Sequence, residues 1–172
     1  ILFPGSSGQI NGNVDAMFYL SLISGRNPKY LIEEHVSSAK QIYEMNLEVI
    51  PVAYILIDGG EVSAVQRESG TMPISLEEKD KVLSHALAGQ YLGHKFIFLE
   101  SGSGARDSAN PELIKILKEY LEIPLIVGGG ISSVEDIEKV KGSNADFIVI
   151  GNFLELGSNT QDIKNMVKLI HA

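Results

Sequence analysis

The chain of 172 residues contains no cysteine. That excludes disulfides, thiolate nucleophiles and thiolate metal sites. Basic residues are scarce: 14 Lys and Arg face 22 Asp and Glu, for a formal charge of −8. Such a balance excludes the broad basic face that a nucleic-acid surface needs. Phosphate binding survives it, because loop amides grip an anion without side-chain charge. Long apolar runs are missing too, and none approaches the roughly 20 residues of a membrane span. No secretory leader is visible, so the expected setting is cytoplasmic. What remains, 44% hydrophobic and 21% charged residues, is the composition of an ordinary globular protein. The length suits one domain over residues 1–172 with a substantial core.

Short apolar runs alternate with segments of helical spacing. Residues 1–3, 14–23, 49–57, 95–99, 124–127 and 147–150 read as buried strands. Residues 31–46, 76–92, 111–121, 134–141 and 161–171 carry the spacing of amphipathic helices. Ile32, Val36, Ala39, Ile42 and Tyr43 are the expected apolar face of the first helix; Val82, Ala86, Leu87 and Leu92 are that of the second. Pro111 suits a first helical turn, and Ser132 or Ser133 suits an N-cap. Residues 58–74 mix glycine, proline and scattered charge, the composition of a lid or binding loop or of a disordered one.

Pure α/β alternation with apolar strands leaves a doubly wound sheet or a (β/α)8 barrel. Glycine loops after the last two strands favour the barrel, whose commonest anion site lies there. The expected fold is therefore a (β/α)8 TIM barrel, read here as lacking its first two βα units. The opening Ile1-Leu2-Phe3-Pro4-Gly5 reads as cut into rather than begun.

The chemistry concentrates where strands end. Glu100 follows the apolar run Phe96–Leu99 and precedes Ser101-Gly102-Ser103-Gly104. A carboxylate there can orient or deprotonate a substrate hydroxyl; pairing with a nearby Lys or Arg is the structural alternative. Gly128-Gly129-Gly130 ends the next strand, and Gly151-Asn152 the one after. Each glycine turn serves steric needs as readily as ligand approach, and it is their pairing that points to phosphate. His35, His85, His94 and His171 are not spaced as a metal pair and read as surface or packing residues. Tyr54 lies mid-strand and faces either the barrel interior or the helices. Arg26 and Arg106 follow strand ends, where an anion and solvent are equal prospects. Asp15 precedes a strand, at the wrong end for a metal ligand.

Residues 98–105, Phe-Leu-Glu-Ser-Gly-Ser-Gly-Ala, with Val127-Gly128-Gly129-Gly130-Ile131 and Gly151-Asn152, resemble the geranylgeranylglyceryl phosphate synthase family. The opening Leu2-Phe3-Pro4-Gly5-Ser6-Ser7 and residues 20–28 resemble its third and fourth strand regions. The likeness covers essentially the whole chain. The Gly-Ser-Gly-Ala loop is similar to that of the family's second group.

The resemblance implies a (β/α)8 prenyltransferase that joins a polyprenyl diphosphate to the 3-hydroxyl of sn-glycerol 1-phosphate, releasing diphosphate with Mg²⁺. It implies that Phe98, Leu99, Glu100, Ser101, Gly102, Ser103 and Gly104 contact glycerol phosphate, with Glu100 on its hydroxyls. Gly128, Gly129, Gly130, Gly151 and Asn152 would then cradle the phosphate. The family usually has Tyr where Phe98 stands, so one hydroxyl contact to the glycerol phosphate is missing. Its metal ligands fall outside these residues, so no metal ligand is expected in this chain. Peripheral membrane contact and a homo-oligomer are the further implications. Two rivals stand beside this reading: a sugar-phosphate isomerase or aldolase, and a non-catalytic phosphate-binding remnant. Residues 18–23 and 54–57 are candidates for a prenyl groove.

Overall fold

The structure, a computed structural model, describes residues 1–151 and 160–171. Five parallel strands are β1 (Ala16–Leu22), β2 (Glu48–Leu56), β3 (Phe96–Glu100), β4 (Leu125–Gly128) and β5 (Phe147–Val149). They pair in the order of the chain. A doubly wound sheet reverses its order at a switch point, and this one never does. Successive crossovers of one hand therefore lay the main crossover helices on the same face, as the wall of a barrel requires.

The helices are α1 (Glu34–Glu44), α2 (Ala64–Ser69), α3 (Lys79–Tyr91), α4 (Pro111–Tyr120), α5 (Val134–Lys141) and α6 (Thr160–His171). Their starts follow local chemistry. Asn110 Oδ1 accepts the Glu112 N–H at 2.8 Å ahead of α4, with Pro111 in the first turn. Ser133, not Ser132, caps α5, its Oγ accepting the Asp136 N–H at 3.1 Å.

Strand alternation sorts the side chains into two cores. Ala53, Ile55, Ile97, Leu99, Leu125 and Val127 face the helices, where they meet Val82 and Ala86 of α3, Leu113, Ile114 and Leu117 of α4, and Ile137 and Val140 of α5. Leu22, Val52, Tyr54, Leu56, Phe98 and Ile126 cluster on the opposite, inner face. Asp146 Oδ2 accepts both the Leu125 N–H, at 2.7 Å, and the Lys118 ammonium, tying α4 to the starts of β4 and β5.

Three sequence expectations are corrected, and the reading of residues 58–74 as a lid, binding loop or disordered segment is narrowed. Residues 1–3 form no full strand: Leu2 makes a single parallel bridge to Met17, because Pro4-Gly5 turns the chain away. Residues 58–74 are ordered around α2. Ser63 Oγ caps that helix by accepting the Gln66 N–H, Gly70 ends it at φ 67°, and Ile74 bridges Ile57. Of the expected first-helix face only Ile42 is buried, beside His35 and Ser38 of α1, while Ile32, Val36, Ala39 and Tyr43 are exposed. Most of the polar face is bonded, leaving His35 Nδ1 as its one buried atom with no partner among the described residues. Tyr19 O–H donates to the His35 carbonyl at 2.6 Å, Ser21 Oγ meets His35 Nε2 at 3.2 Å, and Ser38 Oγ donates to the Glu34 carbonyl at 2.7 Å. Finally, Gly89 replaces Leu92 on the buried side of α3. A Cβ on Gly89 would come within 2.6 Å of Ala53 Cβ, so the glycine lets helix and sheet approach.

Candidate functional site

The loops leaving β2, β3 and β4 meet at one end of the sheet. Register sets this up, with Leu56 opposite Glu100 and Glu100 opposite Gly128. The Ser101 N–H donates to the Gly128 carbonyl at 3.0 Å, and the Arg106 and Asp107 N–H groups donate to the Gly59 carbonyl at 3.0 and 3.2 Å. The contacts are too close for side chains. A Cβ on Gly129, at φ +81°, would lie 2.7 Å from the Gly102 nitrogen and 2.8 Å from Glu100 Oε1. One on Gly130 would lie 2.5 Å from the Asp107 carbonyl carbon. One on Gly59 would lie 2.4 Å from the Ser101 carbonyl oxygen. Here the glycines are required by backbone approach, and they bring amides of three loops together.

Glu100 sits at the centre of that junction and is 9% exposed. The Gly102 N–H donates to its Oε1 at 2.8 Å. Its Oε2 points over Gly128, where a Cβ would be 2.7 Å from that oxygen and 2.8 Å from Phe98 Cε2. Burial pushes the Glu100 carboxyl up to about 7, against the opposing pull of the Gly102 N–H. It is thus poised to exchange a proton near neutrality, as a general base should be. The structure shows no ion pair to Glu100 among the described residues, so the pairing alternative is not what holds it.

The other expected residues fall as follows. Phe98 faces inward beside Glu100; Leu99 faces the helix-side core and offers the site only its backbone. Ser101 is buried, and its Oγ has no partner among the described residues. Ser103 and Gly104 lie exposed at the loop tip. Gly151 is exposed with open space around it, and Asn152 lies outside the described residues. Tyr54 faces inward, its ring 5.2 Å from that of Phe98. Arg106 pairs with the neighbouring Asp107, and Arg26 donates to the carbonyls of Ile23 and Gly25. Gly59 and Ser63 also belong to the junction: a Cβ on Gly102 would come 2.6 Å from Ser63 Cβ. Their signal was the Gly59-Gly60 pair directly after the β2 run.

Beside the junction opens a cavity of about 300 Å³. Phe3, Phe18, Leu20, Leu22, Tyr54 and Val65 give it an apolar wall. Among the described residues no three His, Asp or Glu side chains cluster to hold a metal ion. The Mg²⁺ that the resemblance implies finds no ligand set there. Among the described residues no helix is long and apolar enough to cross a membrane.

Wound in chain order, with glycine loops and one carboxylate gathered at the carboxyl ends of its strands, the molecule has the build of an α/β barrel with a glycine-rich rim. Residues 1–170 match the PcrB family model. The chain belongs to that family. It is 46% identical over 162 residues to geranylgeranylglyceryl phosphate synthase of Flavobacterium johnsoniae, covering 94% of this chain and 67% of that protein. It is 42% identical over 172 residues to the Chitinophaga pinensis enzyme of the same name, covering 100% of this chain and 68% of that protein. The crystal structure of the Thermoplasma acidophilum (S)-3-O-geranylgeranylglyceryl phosphate synthase, in complex with sn-glycerol-1-phosphate, superposes with a TM-score of 0.91 at 33% identity. That match covers 97% of this chain and 67% of the other. The chain therefore spans about two thirds of the length of these relatives, and its sheet forms part of a (β/α)8 barrel.

Proposed function

We propose that the protein carrying this chain transfers a polyprenyl group of the geranylgeranyl type from its diphosphate to the 3-hydroxyl of sn-glycerol 1-phosphate. The observation that carries the proposal is the junction itself: loops after three adjacent strands close on Glu100, in a chain whose relative binds sn-glycerol-1-phosphate. Residues 1–172 act as one domain in it. Backbone amides of residues 103, 104 and 128–130 hold the phosphate, joined by Gly151 and Asn152, while the Ser101 and Gly102 amides brace the site through Gly128 and Glu100. Phe98 and the Leu99 backbone floor the acceptor site. Glu100 Oε1 is already engaged by Gly102, which leaves Oε2 for the glycerol hydroxyl.

In the reaction the allylic carbon–oxygen bond breaks, and its electron pair leaves with diphosphate. The hydroxyl oxygen forms the new carbon–oxygen bond, and its proton passes to Glu100 Oε2. Holding hydroxyl and allylic carbon in contact supplies much of the rate, and proton transfer to a positioned carboxylate supplies about 10²–10⁴-fold more. The apolar cavity takes the prenyl chain, whose product, a lipid ether, leaves toward a membrane surface. The working form is a homo-oligomer.

The test is incorporation of labelled sn-glycerol 1-phosphate into a solvent-extractable prenyl ether by the full-length protein, with geranylgeranyl diphosphate and longer donors. Extractable label with stoichiometric diphosphate release supports the proposal. Bound glycerol phosphate with no ether from any donor would hand the case to the phosphate-binding remnant.

A further inference from the structure

Gly102 has no side chain to anchor it, yet its amide anchors the carboxylate at the centre of the junction. The Gly102 N–H donates to Glu100 Oε1 at 2.8 Å, from a backbone at φ +102°, a region that glycine alone enters freely. A glycine so placed takes its direction from what packs around it. Gly129 closes on its nitrogen and carbonyl oxygen, and that carbonyl accepts the Ala105 N–H at 3.1 Å. Ser63 closes on its α-carbon. A Cβ built on Gly102 would lie 2.6 Å from Ser63 Cβ and 3.6 Å from Ser63 Cα.

Ser63 is a firm support. It is 4% exposed, and its Oγ accepts the Gln66 N–H at the start of α2. The segment that carries it is pinned on both sides. Ahead of Ser63, the Gly59 carbonyl accepts the Arg106 and Asp107 N–H groups. Beyond it, Tyr30 O–H donates to the Glu68 carbonyl at 3.0 Å, and Asn27 Nδ2 donates to the Ser69 carbonyl at 3.3 Å. Ser63 thus meets the 101–105 loop through its Cβ and its own helix through its Oγ, two contacts that can be separated. Tyr54 of β2 is the titratable neighbour of Glu100, and Ser63 and Gly129 bring no charge to it.

We propose that Ser63 is a positioning residue: its Cβ holds the Gly102 peptide in place, and the Gly102 N–H in turn fixes Glu100 with Oε2 left for the acceptor hydroxyl. The consequence for turnover rests on the prenyl-transfer reading; the hold on the carboxylate does not.

Two substitutions divide the contacts. Ser63→Ala keeps the Cβ and removes the cap. Ser63→Gly removes the Cβ, and glycine is the better N-cap of the two. Capping alone therefore makes Ala the more damaging change, whereas positioning makes it Gly. In the full-length protein, Ser63→Gly is expected to lower kcat about 30-fold, with KM for sn-glycerol 1-phosphate and geranylgeranyl diphosphate within about threefold. Ser63→Ala should keep kcat within about threefold of the parent. Because the Gly102 N–H favours the ionised carboxylate, the pH midpoint of kcat/KM should rise by about one unit in Ser63→Gly and stay level in Ser63→Ala. Carbon NMR of labelled glutamate, with Glu100→Gln marking the Glu100 signal, reads the same shift without turnover. Thermal midpoints recorded alongside separate loss of fold from loss of position. An unmoved Glu100 midpoint in Ser63→Gly, or Ser63→Ala as the more damaging change, overturns the positioning role and leaves prenyl transfer standing. A parent protein that forms no ether ends the prenyl-transfer reading, and the NMR midpoints then decide by themselves whether Ser63 holds Glu100.

Discussion

The two faces of β2, β3 and β4 differ in kind. Facing the helices, Ala53, Ile55, Ile97, Leu99, Leu125 and Val127 are sealed at zero exposure among aliphatic neighbours. Facing inward, Tyr54 borders a cavity, Phe98 packs against its ring, and the Glu100 carboxyl group sits where its charge is least welcome. One residue of offset along a strand moves a side chain from one regime to the other. The outer face holds the molecule together. The inner one carries cost for the sake of chemistry.

That contrast can be broken in either direction, and substituting Glu100 has the largest expected effect. Glu100→Gln keeps the shape and removes the proton acceptor, so turnover should fall about 10³-fold with the fold intact. An unchanged rate in the prenyl-transfer assay would return Glu100 to a structural role. On the outer face, Leu117→Ala should lower stability by about 2–5 kcal/mol in chemical denaturation, as large-to-small changes at sealed sites do. Loss near zero would mean that the helix layer is looser than its burial indicates.

Acidity sharpens the comparison further. The Glu100 carboxyl rises from 4.5 to about 7 on folding. Its contribution to stability is therefore fully present below pH 4.5 and is lost as pH climbs through 7. The loss amounts to about 3 kcal/mol. Glu100→Gln removes the cost, so denaturation at pH 8 should find the variant more stable than the parent, and at pH 4 no better. Turnover runs the opposite way: it should rise through pH 7 as the carboxylate form appears, and a pH-independent rate between 5 and 9 would count against the proton-acceptor role. The smallest effect is expected at Gly129. Gly129→Ala forces a side chain to φ +81° against the Gly102 nitrogen, and KM for sn-glycerol 1-phosphate should rise about tenfold. An unaltered KM would remove the 128–130 turn from the phosphate site.

Much of this was legible beforehand because it is written in local pattern. Strands β2 to β5 and helices α3 to α6 stand close to where apolar spacing puts them, and Glu100 is visible as a carboxylate at the end of a buried run. Less of α1 could be read. Periodicity selects Ile32, Val36 and Tyr43 as its inner stripe, yet His35 and Ser38 are inside, and His35 is held by Tyr19 and Ser21 of β1, which lie far away in sequence. The helix within residues 58–74 escaped for a related reason. Its single cap and six residues give too short a period to recognise. The meeting of Gly59 with Ser101 depends on the register of two strands, which no local window contains.

The uninterrupted strand order also bears on how the molecule comes to exist. Every sheet partner is the next strand along, so no segment waits for a distant one before pairing. Loop-closure entropy is met in short instalments, and the sheet can lengthen strand by strand as the ribosome delivers each βα hairpin in turn.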